Sequence, residues 1–295
     1  PLIKRLQPMT KRDIYQEITD DIIAQLETGT VPWVRPWQTV KGDATIPTNF
    51  STGKSYRGIN VPALWSAGTR KGYASNLWLS FNQAKKIGGC VRKGEKGTAI
   101  VFWKFSKIKD RDDPSITKSI PFVRHSTVFN IEQVDGLPAL EEIKQTWDQI
   151  DNVDDLIAST GAIITHGGDR ACYMPGPDRI NMPNKAGFDN SSDYYATLLH
   201  ELTHWTGGKS RLDRLGGARF GDDNYAREEL IAEMGAAFLC GTCGIDGQLQ
   251  HAEYIASWID VLKADKKAVV QAASAAQKAA DFITGYQYVE VTEAA

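Results

Sequence analysis

Two histidines four residues apart, with a glutamate directly after the first, constrain the fold of this 295-residue chain more than any other short segment. The segment is His200-Glu201-Leu202-Thr203-His204. In a helix, residues four apart lie one above the other on one face, so both imidazoles can reach a single ion. The flanking sequence supports a helix. Ser191-Ser192-Asp193 offers a cap, Leu198, Leu199 and Leu202 give an apolar face, and Gly207-Gly208 offers a stop beyond Trp205. Glu201 stands beside the pair as an acceptor for a proton from water. Bound zinc brings the pKa of water to about 7, so hydroxide is available at neutral pH.

Catalytic zinc usually keeps three protein ligands. The next predicted helix, Asn224 to Cys240, is almost wholly apolar apart from Glu228, Glu229 and Glu233. Burying carboxylates on such a helix is costly unless a cation or hydrogen bonds compensate. Glu229 is assigned as the third ligand, and Glu233, on the same face, as the group that orients a histidine. The competing view places Glu228 and Glu229 in an exposed first turn, favoured there by the helix dipole. Tyr173 is a weaker candidate, as a donor to an oxyanion beside an edge strand over Asp178 to Pro183. Cys240 and Cys243 have the spacing of half a zinc knuckle, but no second pair exists, and they read as buried thiols at a helix end.

The charge changes sign along the chain. Residues 1–130 hold 21 Lys and Arg against 10 Asp and Glu, whereas residues 131–295 hold 13 against 26. A basic half suggests an anionic partner, although solvated surface charge would give the same count. Five of the eight tryptophans lie in that half. Basic residues among aromatics suit single-stranded nucleic acid, with cations on phosphates and rings stacked on bases. The candidate contacts are Trp33, Arg35 and Trp37; Lys54, Tyr56 and Arg57; and Lys85, Lys86, Arg92, Lys93 and Lys96. Gly53-Lys54-Ser55 and Gly89 to Gly94 both miss the full phosphate-loop pattern, which excludes nucleotide hydrolysis of that type.

The expected architecture is α+β in two domains, residues 1–135 and 150–295, with the linker in Pro138 to Gln149. In the first domain a helix is expected over Met9 to Glu27 from Ile14, Ile18, Ile22 and Leu26. A second is expected around Leu79 to Lys86. Strands are expected over Thr98 to Phe105 and Phe122 to Ile131, with a loop over Lys107 to Ser119. The second domain reads as mainly helical with a small sheet, its last helices over Glu253 to Lys263 and Lys266 to Ile283. Four cysteines and an N-terminus without a secretory pattern suggest a reducing, cytoplasmic setting. No membrane association is expected, and the chain is expected to be a monomer.

Two stretches carry a resemblance. One is Val31-Pro-Trp-Val-Arg-Pro-Trp37 with Asn49-Phe-Ser-Thr-Gly-Lys-Ser-Tyr-Arg-Gly-Ile-Asn60. The other is Asp178-Arg-Ile-Asn-Met-Pro183, then Tyr195 to Gly207, then Glu228-Glu-Leu-Ile-Ala-Glu233. Together they resemble the ArdC antirestriction proteins of conjugative plasmids. The resemblance implies an N-terminal single-stranded-DNA-binding domain and a C-terminal zincin-like metallopeptidase domain. It implies one Zn2+ or another divalent metal on His200, His204 and Glu229, with Glu201 as the catalytic base. It further implies protection of incoming DNA from host restriction during conjugation, by occupying single strands or by cleaving a protein of the restriction system. The alternatives are a DNA-binding protein with a structural or vestigial metal site, and a metallopeptidase without a DNA role.

Overall fold

The computed structural model describes residues 13–33, 45–109, 117–137, 149–215, 223–245 and 254–287. The expected linker from Pro138 and the candidates Arg35 and Trp37 lie outside the described residues, apart from Gln149 at the linker's end.

Helix α1 covers Ile14–Glu27, and the isoleucine stripe expected of it is buried, Ile22 completely. Strand β1 is Thr48–Asn49 and α2 is Asn60–Lys71. Helix α2 was not anticipated, because Pro62 and Gly68 obscure it. Pro62 falls in the first turn, where a missing N–H costs nothing. Strand β2, Leu77–Ser80, leads straight into the short helix α3, Phe81–Lys86. The helix expected from Leu79 therefore begins two residues later. Ser80 ends the strand and caps the helix, with Gln83 closing a capping box.

Strands β3, Cys90–Val91, and β6, Val134–Asp135, form a small antiparallel pair. Between them runs a long hairpin, β4 at Thr98–Lys109 and β5 at Thr117–Asn130, in register from Thr98↔Val128 to Lys109↔Thr117. The loop expected over Lys107 to Ser119 is thus shortened from both ends by strand pairing. The main sheet has the order β1-β2-β5-β4.

The second half begins with α4, Gln149–Ser159. Strands β7, Ile163–His166, β8, Cys172–Met174, and β9, Arg179–Met182, then form a sheet of order β7-β9-β8. The strand before Pro183 is therefore central and not an edge; Pro183 follows its end, where the lost N–H breaks no ladder. The edge strand on this side is β8, which the sequence did not disclose.

Helix α5 is Ser191–Thr206, α6 Asp223–Cys243, α7 Ile255–Ala264 and α8 Ala268–Thr284. The cap of α5 is Asn190, one residue before the expected group, and its side chain accepts from the Asp193 N–H at 2.9 Å.

One apolar core runs through both halves. It joins Ile18, Ile22 and Leu26 of α1 and Trp65 of α2 to Leu199 and Leu202 of α5, Leu230 and Phe238 of α6, and Trp258 of α7. Trp33 packs against Trp258 with ring centroids 5.7 Å apart. Ion pairs Arg57–Asp281, Lys263–Glu27 and Lys266–Asp13 tie the same halves at the surface. The basic half is thereby seated on the helices that carry the histidine motif. Among the described residues, no helix is long and apolar enough to cross a membrane.

Candidate metal centre

Helices α5 and α6 face each other across the motif. They approach closely because Gly235 of α6 meets Thr203 of α5; a Cβ there would fall 2.5 Å from the threonine methyl. On α5, the Nε2 atoms of His200 and His204 converge to 3.2 Å. Glu229 of α6 lies opposite, with Oε2 3.5 Å from His200 Nε2 and Oε1 3.6 Å from His204 Nε2. A tetrahedral ion with bonds of about 2.0–2.2 Å places its ligand atoms roughly 3.3–3.6 Å apart. The three side chains therefore stand at the separations such an ion requires, and all of their ligand atoms lie within 4.8 Å of one another.

The electrostatics favour a cation at the same point. His200, Glu201, Glu228, Glu229 and Glu233 are all buried. The exposed first turn considered for Glu228 and Glu229 is therefore not what forms. Burial alone would push His204 toward neutrality, but Glu228 and Glu229 outweigh it and raise its pKa to about 10. Burial likewise opposes ionisation of Glu229, and the two imidazoles overcome it, holding the carboxyl far below its ordinary range. The cage thus favours positive charge between the rings, which a divalent ion supplies more compactly than added protons do.

Each outer imidazole nitrogen faces a carboxylate. His204 Nδ1 lies 3.2 Å from Glu228 Oε1. Glu228 is gripped at both oxygens by Arg214, whose Nε and Nη2 donate at 2.9 Å. Arg214 also donates to the Thr203 carbonyl at 2.7 Å and the Thr206 hydroxyl at 3.0 Å, so the guanidinium is bolted to the end of α5. On the other side, Glu233 Oε1 stands 3.7 Å from His200 Nδ1, next to the ring as expected but beyond a direct hydrogen bond. In the sequence Glu228 is one of three carboxylates on an apolar helix with no role assigned to it, and nothing around Arg214 marks it out. The signal was available only as a buried-helix carboxylate needing a partner.

Glu201 points into a cleft of about 580 Å³ bounded by β8, α5 and α6. Its Oε2 accepts the backbone N–H of Tyr173 at 2.7 Å. The Tyr173 hydroxyl, considered above for an oxyanion, instead donates to Asp178 at 2.8 Å and accepts from Arg211 at 3.0 Å. What Tyr173 presents to the site is its main chain. Of the two thiols expected to be buried at the helix end, Cys240 is and Cys243 only partly so, although burial still pushes its thiol up to about 11.

The candidate nucleic-acid contacts divide. Trp33 is 2% exposed, and Trp65 and Trp78 are buried as well. This corrects the reading of Trp33 as a base-stacking ring; its indole packs into the core because the basic half leans on α7. Lys54, Tyr56 and Arg57 line a groove of about 800 Å³ between that half and helices α6 and α8. Tyr56 accepts from Asn49 at 3.0 Å, and Arg57 is held by Asp281 under the Tyr286 ring. Arg57 is therefore already paired, not poised for phosphate. Lys85, Lys86, Lys93 and Lys96 are exposed, whereas Arg92, also exposed, bonds Asp135 and Glu95. Phe81, one turn before Lys85 on α3, is 53% exposed, an aromatic beside these lysines that composition alone does not single out.

Comparison with known proteins places these features in a family. Residues 12–129 match the N-terminal domain of anti-restriction factor ArdC, and residues 151–275 match a zincin-like metallopeptidase domain. The chain is 40% identical over 96% of its length to the Escherichia coli DNA primase TraC, of which the match covers only 28%. It is 38% identical to the uncharacterized protein y4eC of Sinorhizobium fredii, over 95% of this chain and 94% of that one. The metal-free crystal structure of the antirestriction ArdC protein from plasmid R388 superposes with a TM-score of 0.78 at 43% identity, covering 94% of this chain and all of that one. The Mn(II)-bound structure of that protein gives 0.76 at 44% identity. Both domains and a whole-length solved relative agree, and the chain belongs to the ArdC antirestriction family.

Proposed function

We propose that this protein binds single-stranded DNA through its basic half and hydrolyses peptide bonds at the histidine centre, protecting incoming plasmid DNA from restriction during conjugation. The observation that carries the chemistry is the convergence of His200, His204 and Glu229 beside Glu201 in one cleft. His200, His204 and Glu229 are the ligands in this reading; Glu228 orients the His204 imidazole, and Glu233 stands beside that of His200 as its electrostatic partner. A divalent ion there, Zn2+ or a relative such as Mn2+, supplies a Lewis acid for the scissile carbonyl and lowers the pKa of water. Glu201 takes the proton from the attacking water and passes it to the leaving amine. The Tyr173 N–H holds one carboxylate oxygen, so the carboxylate cannot swing away from the cleft floor.

The DNA role rests on the excess of positive charge and on the exposed Lys85, Lys86, Lys93 and Lys96. Those lysines also favour a second reading, in which occupation of single strands alone protects and hydrolysis plays no part. A protein of the restriction system is the proposed peptide target, and a monomer acting in the cytoplasm the proposed form.

The DNA role has a direct test. The full chain is expected to bind an unstructured oligonucleotide with log K falling linearly against log salt, at a slope of about −0.7 per phosphate neutralised. Glutamate replacing Lys85 and Lys86 together should weaken binding and flatten that slope. Binding that ignores salt, or no binding at all, counts against the DNA half of the reading.

A further inference from the structure

The loop after the motif helix carries a second arginine whose contacts converge on the opposite wall of the cleft. Arg211 Nε donates to the Trp205 carbonyl in the last turn of α5 at 2.6 Å, and its guanidinium lies 4.0 Å over the Trp205 ring. Its other nitrogens reach across to the β8–β9 hairpin. Nη2 donates to Asp178 Oδ1 at 2.6 Å and to the Tyr173 hydroxyl at 3.0 Å, and Nη1 donates to Asp178 Oδ2 at 3.1 Å. Tyr173 closes the ring by donating to Asp178 at 2.8 Å.

Two further features mark this as a built contact. Asp178 sits at the hairpin tip with φ +51°, a left-handed conformation uncommon for a residue with a side chain. Gly208 makes room for the guanidinium; a Cβ there would fall 2.2 Å from Arg211 Nη2. The side chain of Arg211 is 9% exposed, so the network is shielded from water on its arginine side.

The consequence lies on the same residue's main chain. Tyr173, tethered by its hydroxyl to Arg211 and Asp178, donates its N–H to Glu201 at 2.7 Å. β8 is an edge strand of only three residues, paired on one side with β9. An edge that short is weakly fixed by its own ladder. We propose that Arg211 is a positioning residue for Glu201: it locks the β8–β9 hairpin to the end of α5, and so fixes the Tyr173 N–H that orients the carboxylate. The catalytic consequence rests on the base role proposed above for Glu201, while the contact itself does not.

Amide hydrogen exchange in the zinc-loaded full chain, resolved by residue with NMR, tests this. In Arg211→Ala the Tyr173 amide should exchange about tenfold faster or more, as expected for loss of a hydrogen bond to a charged acceptor. The Thr165 and Ile180 amides, which bond between β7 and β9, should hold their wild-type rates, and zinc stoichiometry should not change, because the proposed ligands sit on α5 and α6. Asp178→Asn, at an exposed side chain, should produce the same local acceleration and carries the test should Arg211→Ala fold poorly. An unchanged Tyr173 amide in a folded variant overturns the proposal. Equal acceleration across the whole sheet, or loss of zinc together with protection, overturns it too, since Arg211 would then merely support the fold. A wild-type chain that hydrolyses no peptide, with the Tyr173 amide responding as described, removes the peptidase reading and leaves the positioning role standing.

Discussion

Arg214→Ala is expected to destabilise the protein by about 3–5 kcal/mol, although Arg214 touches no proposed ligand. Its two-pronged grip on Glu228 balances a carboxylate that is 7% exposed. With the guanidinium gone, Glu228 is a buried charge left with His204 as its counter-ion. Burial opposes ionisation of Glu228, and the hydrogen bonds from His204 and Arg214 are what overcome that opposition and keep it ionised. The loss also frees the carbonyl of Thr203 and the hydroxyl of Thr206 from their donor at the end of α5. Metal affinity should fall about 10–100-fold, the usual cost of losing a group that orients a metal-binding histidine. Urea denaturation and a chelator competition measure the two effects separately. Lysine at this position should rescue little, because one ammonium cannot serve both oxygens and the helix end together.

Glu201→Gln is expected to leave metal content intact and to lower peptide hydrolysis by about 10²–10⁴-fold. The amide keeps the size of the carboxylate and an oxygen that can accept the Tyr173 N–H, so the cleft should retain its shape. What it cannot do is take a proton from water. Hydrolysis is followed with a protein substrate such as casein, alongside metal analysis of the same preparation. The variant also separates the two readings of the biology. If restriction protection survives undiminished while hydrolysis is lost, strand occupation and not proteolysis is the working principle. If both fall together, proteolysis is the means.

The centre was legible in the sequence to the extent that helical geometry is local. His200 and His204 share a face by spacing alone with Glu201 beside them, and the next helix, too apolar for stray carboxylates, narrows the third ligand to Glu228, Glu229 or Glu233. The long isoleucine stripe of α1 was legible for the same reason. Arg214, Arg211 and Tyr173 were not. Their roles depend on a loop folding back over the end of α5 and on a three-residue strand crossing above it, and nothing in their own neighbourhoods signals either.

The tryptophans show a different limit. Composition places Trp33, Trp65 and Trp78 among basic residues, which suits stacking on bases, but composition does not say which way an indole faces. All three turn inward, each onto a different partner: Trp33 against Trp258 of α7, Trp65 against Phe238 of α6, and Trp78 into a small cluster with Leu64, Ala67 and Val128. The exposed lysines of α3 and the following turn retain the electrostatic part of the argument without those rings.

The most direct test of the metal centre is metal analysis of the purified protein beside a His200→Ala/His204→Ala double variant. One equivalent of divalent metal per wild-type chain is expected and none in the variant, with both proteins folded. A wild-type protein that binds no metal when zinc or manganese is supplied, or a double variant that keeps its metal, would contradict that expectation.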